Sequence, residues 1–377
     1  MTTVLERAVG TEPARRRDDS LDGIRALAAI WVFLVHAGYS GLTIAPPINL
    51  KGAGRAGVLL FFFLSAFLLA RPFFEDRRRI RSAKSWAIFF ARRVFRILPL
   101  YWFVLVVELV LTIGIFRDKA EAQRFSLFIE HVTFQKGLSV FWSLIIEWRF
   151  YLVFPLIALF AGAFLWMRRG VVILGGLVVV WIGASAAGLL GSGLWATLWI
   201  DKHAPVFVCG VLAAAAMARE VTWGPRARLA LEVAAWVLGI AGILLSLPSF
   251  SGWLDGIAPS QFAASSAEYE RFWDLRIPWI GFLMAAFFFC YANGRGLMRR
   301  VLSSRPLVEV GKYAFGIYLI HEPILRALAS SATVPREVRL LLIFAITVLV
   351  AGMLFWLIED PLIRGGQRLT RRFFDLR

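Results

Sequence analysis

The 377-residue chain is poor in charge and in cysteine. Only 18% of its residues are Asp, Glu, Lys or Arg, whereas 59% are hydrophobic and the mean hydropathy is +0.70. This composition excludes an ordinary soluble globular domain and indicates a chain that is solvated by lipid. Its two cysteines, Cys209 and Cys290, both fall inside apolar stretches, so we expect no disulfide framework.

Acidic residues are also scarce relative to basic ones, and the formal net charge is +17. In a soluble protein this excess would suggest nucleic-acid binding, but here the basic residues cluster between apolar segments. With the N-terminus in the cytosol, most of the 42 Lys and Arg residues fall on the cytosolic side, as the positive-inside rule requires. We therefore expect membrane lipid rather than nucleic acid as the surroundings, in the cell (inner) membrane, with both termini cytosolic.

Apolar stretches long enough to cross roughly 30 Å of hydrocarbon occur about ten times. They predict an all-α, polytopic membrane bundle with spans near 24–40, 55–72, 97–116, 141–166, 171–190, 198–218, 229–248, 274–292, 311–329 and 339–358. The first run resembles a signal peptide, but we interpret it as an uncleaved span. We expect a cytosolic tail over 1–20, a membrane domain over 21–361 and a basic cytosolic tail over 362–377.

Ionisable side chains inside membrane spans are costly and are candidates for function. In the first span, Arg25 and His36 are eleven residues apart, so they share a helical stripe and differ in height by about 16 Å. Arg25 would lie at the cytosolic edge and His36 near the middle of the membrane. An imidazole there suits removal of a proton from a hydroxyl. The alternative is a buried histidine that bonds to a neighbouring helix.

The fourth predicted span carries Ser143, Glu147 and Tyr151 at intervals of four residues, hence on one face. Glu147 lies at a depth similar to that of His36. A carboxylate beside an imidazole would fix its tautomer and stabilise its cation. The alternative is an ion pair between Glu147 and Arg149 or another intramembrane arginine.

Two further spans place polar groups in the same central layer. Ser65 lies near the middle of the second span, although a serine there often bonds to its own backbone. Tyr318 and His321 lie three residues apart on one face of the ninth span. We treat His131 and His203 as background because they fall in outer segments or at a span edge.

Arginines also gather at the cytosolic end of the third predicted span. Arg93 and Arg96 are three residues apart, and paired guanidinium groups suit a phosphate-bearing ligand. The alternative is that they follow from topology and anionic lipid alone.

The order and spacing of these motifs resemble the acyltransferase-3 family of integral membrane proteins. The resemblance runs from about Leu21 to Pro361 and rests on LDGIRALAAIWVFLVHAG, FFFLSAFLL, RRVFRILPLYW, WSLIIEWRFYLVFP, GIYLIHEPIL and IEDPL. Three positions depart from the common pattern. Ala66 replaces the Gly of Ser-Gly-Phe, Ile320 stands where Trp is frequent, and Trp148-Arg149 replaces Gln after Glu147.

The resemblance implies a bundle of about ten spans and a cytosolic acyl-CoA donor, most often acetyl-CoA, used as cosubstrate with no tightly bound cofactor and no metal. It implies that His36 is the essential base and that Arg25, Arg93 and Arg96 hold donor phosphates. The other residues matched to the family's motifs are Ser65, Glu147, Tyr151, Tyr318 and His321.

The sequence thus predicts transfer of an acyl group, most simply acetyl, to a hydroxyl of a sugar-containing acceptor. A cell-envelope glycan, a glycolipid and a macrolide-like metabolite all remain open as acceptors. So do direct transfer and an acyl-enzyme on Ser65, Tyr151 or a histidine. The rival functions are a transporter or flippase for a lipid-linked sugar, against which the missing internal repeats count, and a noncatalytic membrane scaffold.

Overall fold

The computed structural model describes residues 18–43, 50–115, 121–135, 137, 139–165, 167, 169–186, 202–218, 221–252, 267–330 and 334–374. These residues form helices with turns at their ends, and no strand occurs among them. The predicted all-α class is therefore confirmed.

The helices follow one another along the chain as a bundle with short surface pieces between the long members. In chain order they are α1 (Asp19–Tyr39), α2 (Gly54–Glu75), α3 (Arg77–Ile80), α4 (Ala83–Ile115), α5 (Glu121–Val132), α6 (Phe141–Leu165), α7 (Gly170–Ala186), α8 (Ala204–Met217), α9 (Pro225–Ser246), α10 (Pro248–Ser251), α11 (Ala267–Asn293), α12 (Leu297–Leu302), α13 (Arg305–Lys312), α14 (Ala314–Leu328), α15 (Arg336–Leu354) and α16 (Asp360–Phe374).

Seven stretches of the described chain are long and apolar enough to cross a membrane: α1, α2, α4, α6, α9, α11 and the continuous run Arg336–Phe373. The predicted count of about ten is not confirmed, because α7, α8 and α14 have only 17, 14 and 15 residues. Helix α4 also begins at Ala83, well before the predicted span, and its 33 residues extend about 50 Å. Arg93 and Arg96 therefore lie inside a continuous helix.

The centre of the bundle is built from α1, α2, α6, α8, α11 and α14. Helix α1 packs against α2, α13 and α14, while α8 fills the space between α2 and α11. By contrast, α7 and α15 expose large apolar side chains such as Val172, at 75%, and Leu349, at 72%. Apolar surface of this extent is stable in lipid rather than in water. The polar site residues are thus carried by the inner helices.

Two glycines let backbones touch at the end of the bundle where α1 begins. A Cβ atom on Gly311 would lie 1.9 Å from the carbonyl oxygen of Asp22, and one on Gly23 would lie 1.9 Å from that of Leu302. Only glycine tolerates such an approach. The contacts draw α12 and α13 against the first turns of α1, so Lys312 is brought to the same end as Arg25.

A π-helical turn, Phe355–Glu359, joins α15 to α16. Such turns accommodate an extra residue within a helix and often accompany functional sites. Here the turn places Glu359 in the interior, where its side chain is buried. Helix α16 continues from the turn and packs along α4.

Candidate active site

A large cavity enters the bundle from the end where α1 begins and where α13 and α16 lie. Its volume is about 980 Å³, within the range of ligand sites, and its walls come from α1, α2, α4, α6, α14 and α16. We call the end at which the cavity opens the basic end. The seven basic side chains that line the cavity are Arg25, Arg71, Arg93, Arg96, Arg299, Lys312 and Arg364.

Carboxylates accompany most of these cations. Arg25 bonds to Asp22 at 2.9 Å, Arg71 bonds to Glu75 at 2.8 Å, and Arg364 bonds to Asp360 at 2.6 Å. A guanidinium group has five N–H donors, so one such bond leaves others for a ligand. The ion pairs therefore hold the arginines against the wall without consuming their capacity to bind phosphate.

Arg93 and Arg96 lie deeper than the mouth at which the sequence placed them. Arg93 is half-buried, bonds to Tyr151 and interacts with the charge of Glu147, while its buried Nε atom has no hydrogen-bond partner. Arg96 acts electrostatically on both Arg93 and Glu359. All three arginines predicted to bind phosphate line one cavity, but at different depths.

A hydroxyl and carboxylate network forms one wall midway along the cavity. The Tyr151 hydroxyl donates to Glu147, and the hydroxyls of Ser65 and Tyr151 are 3.1 Å apart. Arg149 instead donates to the carbonyl of Phe134 at 3.3 Å. The charged neighbour of Glu147 inside the cavity is therefore Arg93 from α4, and Ser65 bonds to Tyr151.

A second pair of hydroxyls, those of Ser143 and Tyr318, lines the cavity on the side next to the histidines. Their oxygens are 2.7 Å apart, and both groups donate to the carbonyl of Val140, at 3.1 Å and 2.9 Å. Ser143 lies in the first turn of α6 and Tyr318 in the second turn of α14. This pair forms the boundary between the cavity and the residues beyond it.

His36 and His321 lie directly beyond that boundary. Nδ1 of His36 is 2.9 Å from Nε2 of His321, and the ring of His321 lies 5.9 Å from that of Tyr318, centre to centre. Neither histidine lines the cavity itself. The ring partner of His36 is thus His321, and the predicted pairing of His36 with Glu147 is wrong, because Glu147 bonds to Tyr151 on the near side of the boundary.

His36 lies in the last turn of α1, which begins at Asp19 and ends at Tyr39. It contacts His321 because that residue lies halfway along α14, which packs against α1.

The hydrogen bonds determine the tautomers of both rings. Nδ1 of His321 is 2.8 Å from the carbonyl oxygen of Tyr318 and 3.1 Å from that of Ile317. Carbonyl oxygens only accept, so this nitrogen carries the proton, and Nε2 of the neutral ring accepts. Nδ1 of His36 must then donate to His321. The lone pair of His36 is left on Nε2, where a general base needs it.

The other two histidines, His131 and His203, pack against neighbouring residues away from this pair. Nδ1 of His131 is 2.6 Å from the Leu127 carbonyl oxygen, and His203 is buried between the rings of Trp142 and Phe62. Among the described residues, no group of three or more His, Cys, Asp or Glu side chains is arranged to hold a metal ion.

With this geometry established, comparison with known proteins identifies the class. Residues 18–358 match the family described as the acyltransferase domain, acyltransferase-3, and the chain belongs to that family of membrane enzymes. One similar protein is the peptidoglycan O-acetyltransferase OatA of Listeria monocytogenes serovar 1/2a, strain EGD-e. It is 27% identical over 390 residues, which cover 94% of this chain and 57% of that relative. The chain thus spans a little over half the relative's length. No solved structure matches.

Proposed function

We propose that the protein transfers an acetyl group from cytosolic acetyl-CoA to a hydroxyl of a sugar-containing acceptor in the cell envelope, with His36 as the general base. The observation that carries this proposal is the pair His36 and His321 next to Tyr318, which lines a basic cavity. The activity named for the relative, O-acetylation of peptidoglycan, supports a sugar acceptor. The enzyme would lie in the cell membrane with both termini in the cytosol.

The cavity suits a CoA thioester because its chemistry changes along its length. Guanidinium groups at the basic end bind phosphate oxygens through charge-assisted bonds. Farther in, Leu64, Leu68 and Leu144 accompany the hydroxyls of the wall, and this mixed lining suits a pantetheine arm. The thioester would then arrive at Ser143 and Tyr318, next to the histidine pair.

The transfer step balances without a redox partner. Nε2 of His36 takes the proton of the acceptor hydroxyl as its oxygen attacks the thioester carbonyl carbon. The carbon–sulfur bond then breaks, the acetyl ester forms, and the proton passes to the CoA thiolate. His321 holds the ring of His36 by accepting from Nδ1, much as the third member of a hydrolase triad holds its histidine.

The hydroxyls of Ser143 and Tyr318 would serve the carbonyl oxygen during that step. Both now donate to the carbonyl of Val140. A thioester oxygen that develops negative charge is the stronger acceptor, so a hydroxyl that turns toward it stabilises the tetrahedral intermediate. Ser65 and Tyr151 lie on the same path, and we assign them to positioning the arm, with Glu147 and Arg93 fixing their orientation.

The proposal is tested with the purified protein in proteoliposomes, radiolabelled acetyl-CoA and soluble peptidoglycan fragments as acceptor. His36→Ala should lower transfer by about 10³-fold, because general-base assistance is lost. The matched control is His131→Gln, which changes another buried histidine outside the site. Wild-type transfer by His36→Ala protein would refute the assignment.

A second measurement separates the enzyme from a flippase. In detergent and without acceptor, an acyltransferase should hydrolyse acetyl-CoA slowly, and that hydrolysis should depend on His36. A flippase has no reason to cleave the thioester. Absence of any thioester cleavage by the wild-type protein, with or without acceptor, would contradict the proposed function.

A further inference from the structure

A second cavity of about 450 Å³ adjoins the first at the basic end. It lies between α2, α8, α11 and the segment that precedes α9. Four residues line both cavities: Asp18, Leu21, Arg71 and Arg299. The two cavities therefore share a wall, and a ligand whose middle rests on that wall can extend into both.

Aromatic side chains dominate one side of the second cavity. Phe67, Phe288, Phe289 and Tyr291 line it, and the last three belong to one turn of α11. The guanidinium carbon of Arg299 lies 5.5 Å from the centre of the Tyr291 ring. A flat ring that enters here meets other rings at one end and a cation at the shared wall.

Polar groups also line the second cavity. Thr222 and Asn293 line the cavity, and Asn293 donates one amide hydrogen to the Phe289 carbonyl at 2.8 Å. Its oxygen accepts from the Trp223 indole at 3.1 Å, so its second amide hydrogen remains for a ligand. Aromatic faces combined with a few hydrogen-bonding groups are the chemistry that recognises a nucleobase.

We propose that the second cavity binds the adenine ring of the donor and that Arg71 and Arg299 on the shared wall bind the 3′-phosphate of its ribose. This inference rests on the proposed function, because it requires a CoA thioester as donor. A CoA thioester has three parts, each of which matches one region of the two cavities. It carries a flat heteroaromatic end, a cluster of phosphates in the middle and a thin arm that ends in the thioester.

A lipid is the competing occupant, and the lining favours the nucleotide. An acyl chain would require walls that are apolar throughout, whereas Thr222, Asn293 and two arginines are distributed around this cavity. A lipid headgroup would account for the arginines but not for the four aromatic side chains behind them.

The adenine contact is tested by comparing acetyl-CoA with S-acetyl-4′-phosphopantetheine, which lacks the adenosine part. Phe289→Ala should raise the KM for acetyl-CoA about five- to tenfold, since stacking on an aromatic side chain is lost, and leave the KM for the shorter thioester unchanged. The matched control is Phe282→Ala. It removes another half-buried phenylalanine of α11 that does not line the cavity, and it should change neither KM.

The phosphate contact is tested with acetyl-CoA and its 3′-dephospho analogue. Arg299→Ala should raise the KM for acetyl-CoA about tenfold, because a charge-assisted bond is lost, but have little effect on the analogue. Arg300→Ala, an exposed neighbour on α12 that lines neither cavity, is the control.

The outcomes separate the two proposals. If the wild type uses both thioesters but Phe289→Ala raises both KM values equally, the adenine assignment is overturned and the proposed function stands. The same holds if the effect of Arg299→Ala persists without the 3′-phosphate, or if Phe289→Ala alters only the dependence of activity on anionic lipid. If the wild type transfers acetyl from neither thioester, both proposals fail.

Discussion

The two ends of the candidate site differ in the interactions that hold their side chains in place. The basic end contains many charges held by ion pairs along the cavity wall. At the other end, which we call the histidine end, the rings of His36 and His321 and the hydroxyls of Ser143 and Tyr318 are held by hydrogen bonds to one another and to backbone carbonyls. A charged wall provides affinity, whereas a network of short contacts provides orientation. Changes at the basic end should therefore act on KM, and changes at the histidine end on kcat.

The largest effect that tests this contrast is expected at His321. His321→Ala removes the acceptor for Nδ1 of His36, so the base loses its orientation and its tautomer. We expect kcat to fall about 100-fold, with the KM for acetyl-CoA nearly unchanged, in steady-state assays on proteoliposomes. His321→Gln keeps an acceptor at the end of its side chain and should recover part of the activity. Equal losses in both variants would contradict a positioning role.

The next effect concerns the packing that forms the basic end. Gly311→Ala would place a methyl group 1.9 Å from the carbonyl oxygen of Asp22, and α13 must move away from α1. We expect a loss of about 2 kcal/mol in the free energy of unfolding, measured as a lower Tm in detergent. Gly176→Ala in α7 is the control, because no atom lies within 4 Å of its added Cβ. An equal Tm for the two variants would show that the contact is not a constraint.

A smaller effect is expected from the cavity arginines. Arg96→Ala removes a cation from the interior of the cavity. It should raise the KM for acetyl-CoA about tenfold and leave kcat unchanged. Arg92→Ala, on the exposed side of the same helix, provides the comparison and should leave the KM unchanged. If kcat falls instead, Arg96 belongs functionally to the histidine end, and the division drawn above is wrong.

The smallest effect is expected in how the thioester is divided between transfer and hydrolysis. Tyr318→Phe keeps the ring but removes the hydroxyl that donates to Val140 and lies 2.7 Å from the Ser143 hydroxyl. Both reactions lose a group that stabilises the tetrahedral intermediate, so their ratio is the informative quantity. Water should then reach the thioester more easily, and the ratio of acetyl-CoA hydrolysis to acetyl transfer should rise about threefold. Tyr313→Phe, which removes a hydroxyl 3.4 Å from Glu309 outside the cavity, should not change that ratio. An unchanged ratio in both variants would show that the hydroxyl does not seal the boundary.

The helical class and the identity of the polar residues could be predicted from the sequence. Hydropathy marks the spans, and spacing places Arg25 with His36 and Tyr318 with His321 on shared faces. The family resemblance is confirmed by the match over residues 18–358. These features depend on one helix at a time, so periodicity alone is sufficient to find them.

The pairing between helices could not be predicted in the same way. Spacing gives the height and face of Glu147 on α6, but not the rotation of α6 relative to α1, and Glu147 faces Tyr151 and Arg93 instead of His36. Helix bounds were also misjudged, because helices extend beyond their apolar stretches: α1 starts five residues earlier and α4 fourteen residues earlier than the predicted spans. The role of Ser143 as the partner of Tyr318 depends on a contact between residues far apart in the chain.

The π-helical turn at Phe355–Glu359 absorbs one residue more than an α-helical turn holds, so the shape of the cavity mouth depends on residue number as well as residue type. Deleting one residue inside the turn would restore ordinary α-helical geometry and leave the direction of the side chains that follow nearly unchanged. Deleting one residue between Glu359 and Arg364 would instead rotate everything that follows by about 100° and turn Arg364 and Gln367 away from the opening. When this region is aligned with other sequences, a one-residue gap after the turn therefore means a reoriented entrance, even where every charged position is retained.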